Sequence, residues 1–253
     1  MAWDPEKYNE FKVERYKPYF DLVSHIKDKP NLKVIDLGCG TGELTQFLAN
    51  ALTNPTVIGI DTSAEMLSKA PVQNNIVFKQ KSIEEQLEEN ETWDLIFSNA
   101  AIQWIDDHQL LFPKIIAKIN NNGQLAIQMP SQTENVLNKL LIDLVQEEPY
   151  LPALNNWIRK SPVLSLDEYA KLLFDHGGDN LIIYQKVYPL VNNTQDELYE
   201  FIAGSSLVPY FERLTDSLKE QFSIEFKKRI RLTFPKTPLI YAFKRIILYC
   251  TFR

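Results

Sequence analysis

Apolar positions in the first half of the chain fall into short runs of strand length, separated by stretches with helical spacing. Val34-Ile35-Asp36-Leu37, Thr56-Val57-Ile58-Gly59-Ile60, Ile76-Val77-Phe78, Asp94-Leu95-Ile96-Phe97 and Leu125-Ala126-Ile127-Gln128-Met129 are five such runs, most of them apolar at successive positions. Strands buried on both faces read this way. Residues 43–51 place Leu44, Phe47, Leu48 and Ala51 on one helical face. Residues 63–69 read as a short helix with Ser63 at its N-cap and Pro71 as its stop, and residues 83–87 as a helical turn. Residues 110–119 form a further helix before an Asn-Asn-Asn-Gly turn at 120–123.

The second half changes character. Residues 135–146, 166–174, 195–203 and 211–231 have helical patterns, while 181–188 and 246–250 read as strands. Residues 148–164 carry three prolines but also Tyr150, Leu151, Leu154 and Trp157, apolar mass that suits a lid or insertion better than a linker. Strand–helix alternation implies a doubly wound α/β fold with right-handed crossovers. The expected architecture is a mostly parallel seven-stranded sheet, with a helical lid or insertion after strand five. A single domain over 1–253 is expected, with a core in 1–130 and helical regions near 131–180 and 194–235.

Composition narrows the function classes. At 253 residues and 45% hydrophobic content the chain can bury a large core. Its 27 basic against 33 acidic residues leave −6, which offers no general attraction to nucleic acid or anionic membranes. No apolar run approaches the roughly 20 residues of a membrane helix. Two cysteines, Cys39 and Cys250, and three scattered histidines show neither a disulfide framework nor metal-ligand spacing. The start M-A-W-D-P-E-K-Y has no basic segment followed by an apolar one, so a cytoplasmic location is expected.

The strongest local signal is V-I-D-L-G-C-G-T-G-E at 34–43: a strand, a glycine-rich turn and a helix start. Gly38 and Gly40 permit backbone angles and a close ligand approach that a Cβ would block. Glu43 stands where a full G-x-G-x-x-G fingerprint has glycine, and the ending lacks the Lys-Ser/Thr of a P-loop. Asp61, at the end of the second strand and 21 residues after Gly40, can accept from both hydroxyls of a ribose. Each signal alone is compatible with a ligand-free turn or cap. Together they favour an adenosine-containing ligand.

D-L-G-C-G-T-G followed by G-I-D-T-S-A-E-M-L resembles the class I S-adenosylmethionine-dependent methyltransferases. The resemblance implies a Rossmann-like methyltransferase fold and S-adenosyl-L-methionine as cofactor. It places Asp36, Gly38 and Gly40 against the methionine part, Asp61 on the ribose, and Thr62 and Met66 beside the adenine. Ser82, followed by Ile83, stands where the family commonly has an acid facing the adenine amine. W-D-P-E-K-Y-N-E-F-K-V-E-R-Y-K-P at 3–18, D-L-I-F-S-N-A-A-I-Q-W-I-D-D-H at 94–108 and G-Q-L-A-I-Q-M-P at 123–130 are similar to the trans-aconitate 2-methyltransferase family. That implies a small carboxylic acid as substrate. Two departures touch the acceptor: Val208 replaces an arginine in a Leu-Arg-Pro turn, and Lys244 replaces the proline of a Phe-Pro-Arg that otherwise keeps Arg245.

Methyl transfer from a sulfonium is an in-line displacement in which the protein mainly positions the reactants. A carboxylate acceptor is ionised at neutral pH, so no catalytic residue is expected. Tyr8, Phe11 and Arg15 share a face of the first expected helix, with Tyr8 placed near the sulfonium and Arg15 near the cofactor carboxylate. Asn99, Gln103 and Trp104 follow strand four, at the ligand-binding edge of such sheets. Asn99 is assigned to the cofactor; Gln103, Trp104 and Arg245 are assigned to the substrate. His108 reads as a solvated loop residue, although it would be the base if the acceptor were a hydroxyl. Arg159, Arg229 and Arg231 read as solvated, and the basic run 227–231 as a helix end with some capacity to dock an acidic partner. A carrier-bound malonyl acceptor, a hydroxyl metabolite, a nicotinamide dehydrogenase and a non-catalytic nucleotide-binding module remain alternatives. The oligomeric state is not indicated.

Overall fold

The computed structural model describes residues 16–253; Tyr8, Phe11 and Arg15 lie outside the described residues. Seven strands form one sheet in the order β3-β2-β1-β4-β5-β7-β6. They are β1 (Lys33–Leu37), β2 (Thr56–Asp61), β3 (Ile76–Gln80), β4 (Trp93–Asn99), β5 (Ile119–Pro130), β6 (Gly178–Asn192) and β7 (Leu239–Phe252). β1 to β5 pair in parallel, and β7 runs antiparallel to β5. The expected seven-stranded, mostly parallel, doubly wound sheet is therefore present.

Successive residues of the central strands enter different cores, as the two-residue period of a strand requires. Ile35, Leu37, Ile96, Leu125, Ile127 and Met129 belong to one cluster, with Leu111, Phe112, Ile115, Tyr169 and Leu173 from the helices α5 (His108–Ile116) and α8 (Leu166–Asp175). Val34, Leu95, Phe97, Ala126, Ile247 and Tyr249 belong to a second, with Tyr19 and Leu22 from α1 (residues 16–23) and Leu48 and Ala49 from α2 (Glu43–Ala51). Burial on both faces explains the unbroken apolar runs of the sequence.

The described chain divides into two compact units. The first holds residues up to 130, 162–186 and 245–253; the second holds 131–161 and 187–244. The second has its own core, where Leu137, Leu141 and Leu144 of α6 (Val136–Val145) join Tyr150, Leu198, Phe222, Phe226 and Tyr241. Residues 162–186 go with the first unit, because Val163, Leu164, Leu166, Leu181 and Ile183 pack against its core.

Several expected boundaries are corrected. The helix expected at 110–119 is His108–Ile116, because Asp107 caps it, its side chain accepting from Leu110 N–H. The Asn-rich turn at 120–123 is part of β5, since Ile119 already pairs with Trp93 across a register shift. The single helix expected at 211–231 is two, α10 (Val208–Phe211) and α11 (Asp216–Thr233), the second with Thr215 at its N-cap. β6 and β7 are longer than their apolar segments, and each has residues in both units.

Candidate functional site

β1 is central, and the chain order reverses between it and β4, which makes their carboxyl ends the switch point where such sheets bind ligands. The loop after β1 is fastened to β2: Gly38 and Cys39 N–H both donate to the Ile60 carbonyl, at 2.9 and 2.8 Å. Gly38 has φ +80°, and a Cβ there would lie 2.1 Å from that of Ala101. No other residue fits. Gly40, with φ +56°, has only the Met66 sulfur, 3.6 Å from the Cβ position, beside it.

Asp61 ties this loop to the next. Its Oδ2 accepts from Gly40 N–H and its Oδ1 from Ser63 N–H, each at 2.9 Å. A carboxylate offers about four acceptor positions, so two remain after these bonds. Beneath the loop, Asp36 is 3% exposed and accepts from the Thr45 hydroxyl at 2.6 Å. Burial pushes its carboxyl up to about 7; the Thr45 bond opposes that and the charge of Asp61 adds to it.

A cavity of about 560 Å³ opens here. It is lined by Asp36, Gly38, Gly40, Asp61, Thr62, Met66, Ile83, Asn99 and Trp104, so nine positions singled out in the sequence surround one space. Tyr16, Glu43 and Lys81 also line it, and none of the three carries a site assignment from the sequence. Tyr16 donates to Glu43 Oε2 at 2.8 Å, which joins α1 to α2 at the cavity wall. The only sequence trace of that bond is Glu43, read solely as a departure from a dinucleotide fingerprint.

Other assigned residues do not line the cavity. Ser82 is the N-cap of α4 (Ile83–Glu88), in a reciprocal capping box with Glu85. Its hydroxyl is committed to the helix end, as the S-x-x-E pattern foreshadows. Gln103 is 3% exposed and donates from Nε2 to the Ala100 carbonyl at 2.7 Å. It braces a turn in which Ala100 itself has φ 58°. Arg245, on β7, donates to Gln128 Oε1 at 3.0 Å, and Gln128 donates to Asn99 Oδ1 at 3.1 Å. Two amides thus link Arg245 to the cavity wall.

His108 is not a solvated loop residue. It is 1% exposed in the first turn of α5, with Nδ1 against the Tyr169 hydroxyl and Nε2 against the Ile102 carbonyl at 2.9 Å. Burial, the largest influence, holds its pKa below the usual value. With both nitrogens engaged away from the cavity, it is not placed as a base for a hydroxyl acceptor. The basic run of α11 is paired throughout its charges: Lys227 and Arg231 with Asp196, Lys228 with Glu225, and Arg229 with Glu225 and Glu147.

The described geometry, a glycine turn and a ribose-competent acid at the switch point of this strand order, is that of a nucleoside-binding α/β enzyme. Comparison with known proteins gives the family. A family model described as a methyltransferase domain matches residues 28–199. A trans-aconitate 2-methyltransferase of Deinococcus radiodurans is 36% identical over 99% of this chain and 98% of its own length. One of Variovorax paradoxus is 29% identical over 93% and 91%. In fold, the chain is similar to the YcgJ protein of Bacillus subtilis, at TM-score 0.60 and 15% identity over 94% of this chain and 99% of that one. It also resembles Haemonchus contortus phosphoethanolamine N-methyltransferase 2, solved with S-adenosylhomocysteine, at 0.56 and 14% over 94% and 52%. The chain belongs to the S-adenosylmethionine-dependent methyltransferase family.

Proposed function

We propose that this methyltransferase esterifies a carboxylate of a small organic acid, with trans-aconitate the first acid to test. The observation that carries the proposal is the full-length similarity to the Deinococcus enzyme of that name. The site is compatible with it. A carboxylate acceptor, ionised at neutral pH, needs no base, and the histidine that would have served a hydroxyl is buried in its own bonds. The charges of the basic run on α11 already have acidic partners within the chain, which disfavours the reading with an acidic carrier protein.

S-adenosylmethionine supplies a methyl group on a sulfonium, a leaving group that needs no further activation. The residues present fit it. Asp61 keeps acceptor positions for two vicinal hydroxyls, Gly40 leaves its cavity side bare, and Asp36 is a buried carboxyl that a neighbouring cation returns to its ionised form. Thr62, Met66 and Ile83 then flank the base, while Asn99 and Trp104 line the acceptor side. What the chain contributes is alignment and exclusion of water. Tyr8 and Arg15 remain proposed for the cofactor. Gln103 supports the turn, and Arg245 acts from behind the wall.

The test is a turnover screen of small carboxylic acids with S-adenosylmethionine, detecting S-adenosylhomocysteine and methyl ester by mass. Ester from trans-aconitate is the expected result. Ester from mono- or dicarboxylates alone discards the named acid and keeps the reaction. Methyl transfer to a hydroxyl substrate and to no acid discards the proposal.

A further inference from the structure

Three polar side chains lie in a row across the sheet behind the acceptor side of the cavity. Asn99 of β4 is the register partner of Gln128 of β5, and Gln128 is the partner of Ile247 of β7. Arg245 stands two residues before Ile247, so it projects from the same sheet face. Gln128, 1% exposed, accepts from Arg245 Nη1 at 3.0 Å and donates to Asn99 Oδ1 at 3.1 Å. A guanidinium has donors and no acceptor, so Gln128 must turn its oxygen to Arg245 and its NH2 to Asn99. Asn99 must then turn its own oxygen to Gln128, leaving its NH2 for the cavity that it lines.

We propose that Gln128 is a positioning residue that transmits the donor character of Arg245 to Asn99, so that the cavity presents an N–H donor to a carboxylate oxygen. The inference rests on the methyltransferase reading of the cavity. The carboxylate belongs either to the acceptor acid or to the amino-acid end of the cofactor. Arg245 then acts on an anionic ligand without touching it, and leaves no mobile charge in the pocket.

Gln128→Glu keeps the contact with Arg245 but replaces the NH2 by a second acceptor oxygen. Asn99 must turn over to donate to it, and shows its carbonyl to the cavity. Asn99→Asp places an acceptor there with Gln128 intact. For each variant, the affinity for S-adenosylhomocysteine and the KM for trans-aconitate are measured, together with the Asn99 side-chain NH2 signal in 1H–15N spectra. Both variants are expected to weaken one ligand by about tenfold or more, the loss typical of a ligand acceptor facing an acceptor. The ligand that loses affinity identifies the source of the carboxylate. Gln128→Glu added to Asn99→Ala should cause no further loss, and the Asn99 NH2 should exchange with solvent more slowly in Gln128→Glu than in the native chain. The proposal is overturned if neither ligand is weakened in either variant, if the Gln128→Glu loss persists in the Asn99→Ala background, or if NH2 exchange is unchanged. If Gln128→Glu does not fold, Asn99→Asp decides by its ligand affinities. If the native chain esterifies no acid, the functional proposal fails, while the NH2 signal still decides the positioning role.

Discussion

The two walls of the cavity are built by different means. On the β1–β2 wall, the working groups lie within a few residues of one another along the chain or one strand apart: Gly38, whose N–H donates to the Ile60 carbonyl, and Gly40, whose N–H, with that of Ser63, donates to the Asp61 carboxylate. On the β4–β5–β7 wall, Asn99 takes its orientation from Gln128, 29 positions away, and Gln128 from Arg245, 117 positions further on. The first wall is rigid because its backbone admits no alternative. The second is set by the choice of amide orientation, and a single atom exchange can reverse it. Geometry protects one wall, and hydrogen-bond polarity specifies the other.

Substitutions on the two walls should separate accordingly. The largest effect is expected from Gly38→Val: with 2.1 Å between a Cβ and that of Ala101 and φ at +80°, the turn cannot close, and S-adenosylhomocysteine binding should vanish in calorimetry. Asp61→Ala follows, since it removes the acceptor of two backbone N–H groups and the ribose contact. A weakening of S-adenosylhomocysteine binding by about 2–4 kcal/mol is expected, and a change below tenfold would detach Asp61 from the ligand.

Asp36→Asn probes the buried acid between the walls. Its folded pKa of about 7 lies above the unfolded value of 3.8, so the ionised carboxyl costs stability that is absent at low pH and grows as pH rises through 7. The variant should be more stable than the native chain near pH 8, by on the order of 4 kcal/mol, with the gain shrinking toward pH 4. Ligand binding has the opposite requirement. A cofactor cation lowers the Asp36 pKa, so native affinity should be steady above about pH 7 and weaken below it, and Asp36→Asn should flatten that profile.

Ser82→Ala sharpens the comparison from outside the cavity: loss of the capping box should cost about 1 kcal/mol in unfolding and leave S-adenosylhomocysteine affinity unchanged. The smallest effect is expected from Ala100→Gly, which relieves a left-handed residue and should stabilise the chain by roughly 0.5–1 kcal/mol in denaturant unfolding.

The same contrast explains what could be read from the chain alone. Strand runs, the glycine turn and Asp61 are local and repeat known spacings, so the sheet and the residues that gather at one wall are legible in them. Ser82 matches a family position and the start of an S-x-x-E cap at once, and its hydroxyl is taken by the cap. Gln103 and Arg245 were assigned to substrate on residue type, yet each is committed to another amide or carbonyl, and that commitment exists only once β4, β5 and β7 are in register. His108 reads as solvated in the sequence because Tyr169, its partner, lies 61 residues on, in α8, and meets it only when α5 and α8 pack into the same core. Gln128 looked like one polar interruption in an apolar strand, and nothing local marks it as a relay.

The most direct test of the central claim is a crystal structure of the chain with S-adenosylhomocysteine. The nucleoside is expected in the cavity after β1, its ribose hydroxyls on Asp61 and its amino-acid end toward Asp36. A cavity left empty at saturating ligand, or a nucleoside bound with Asp61 turned away from its ribose, contradicts the account.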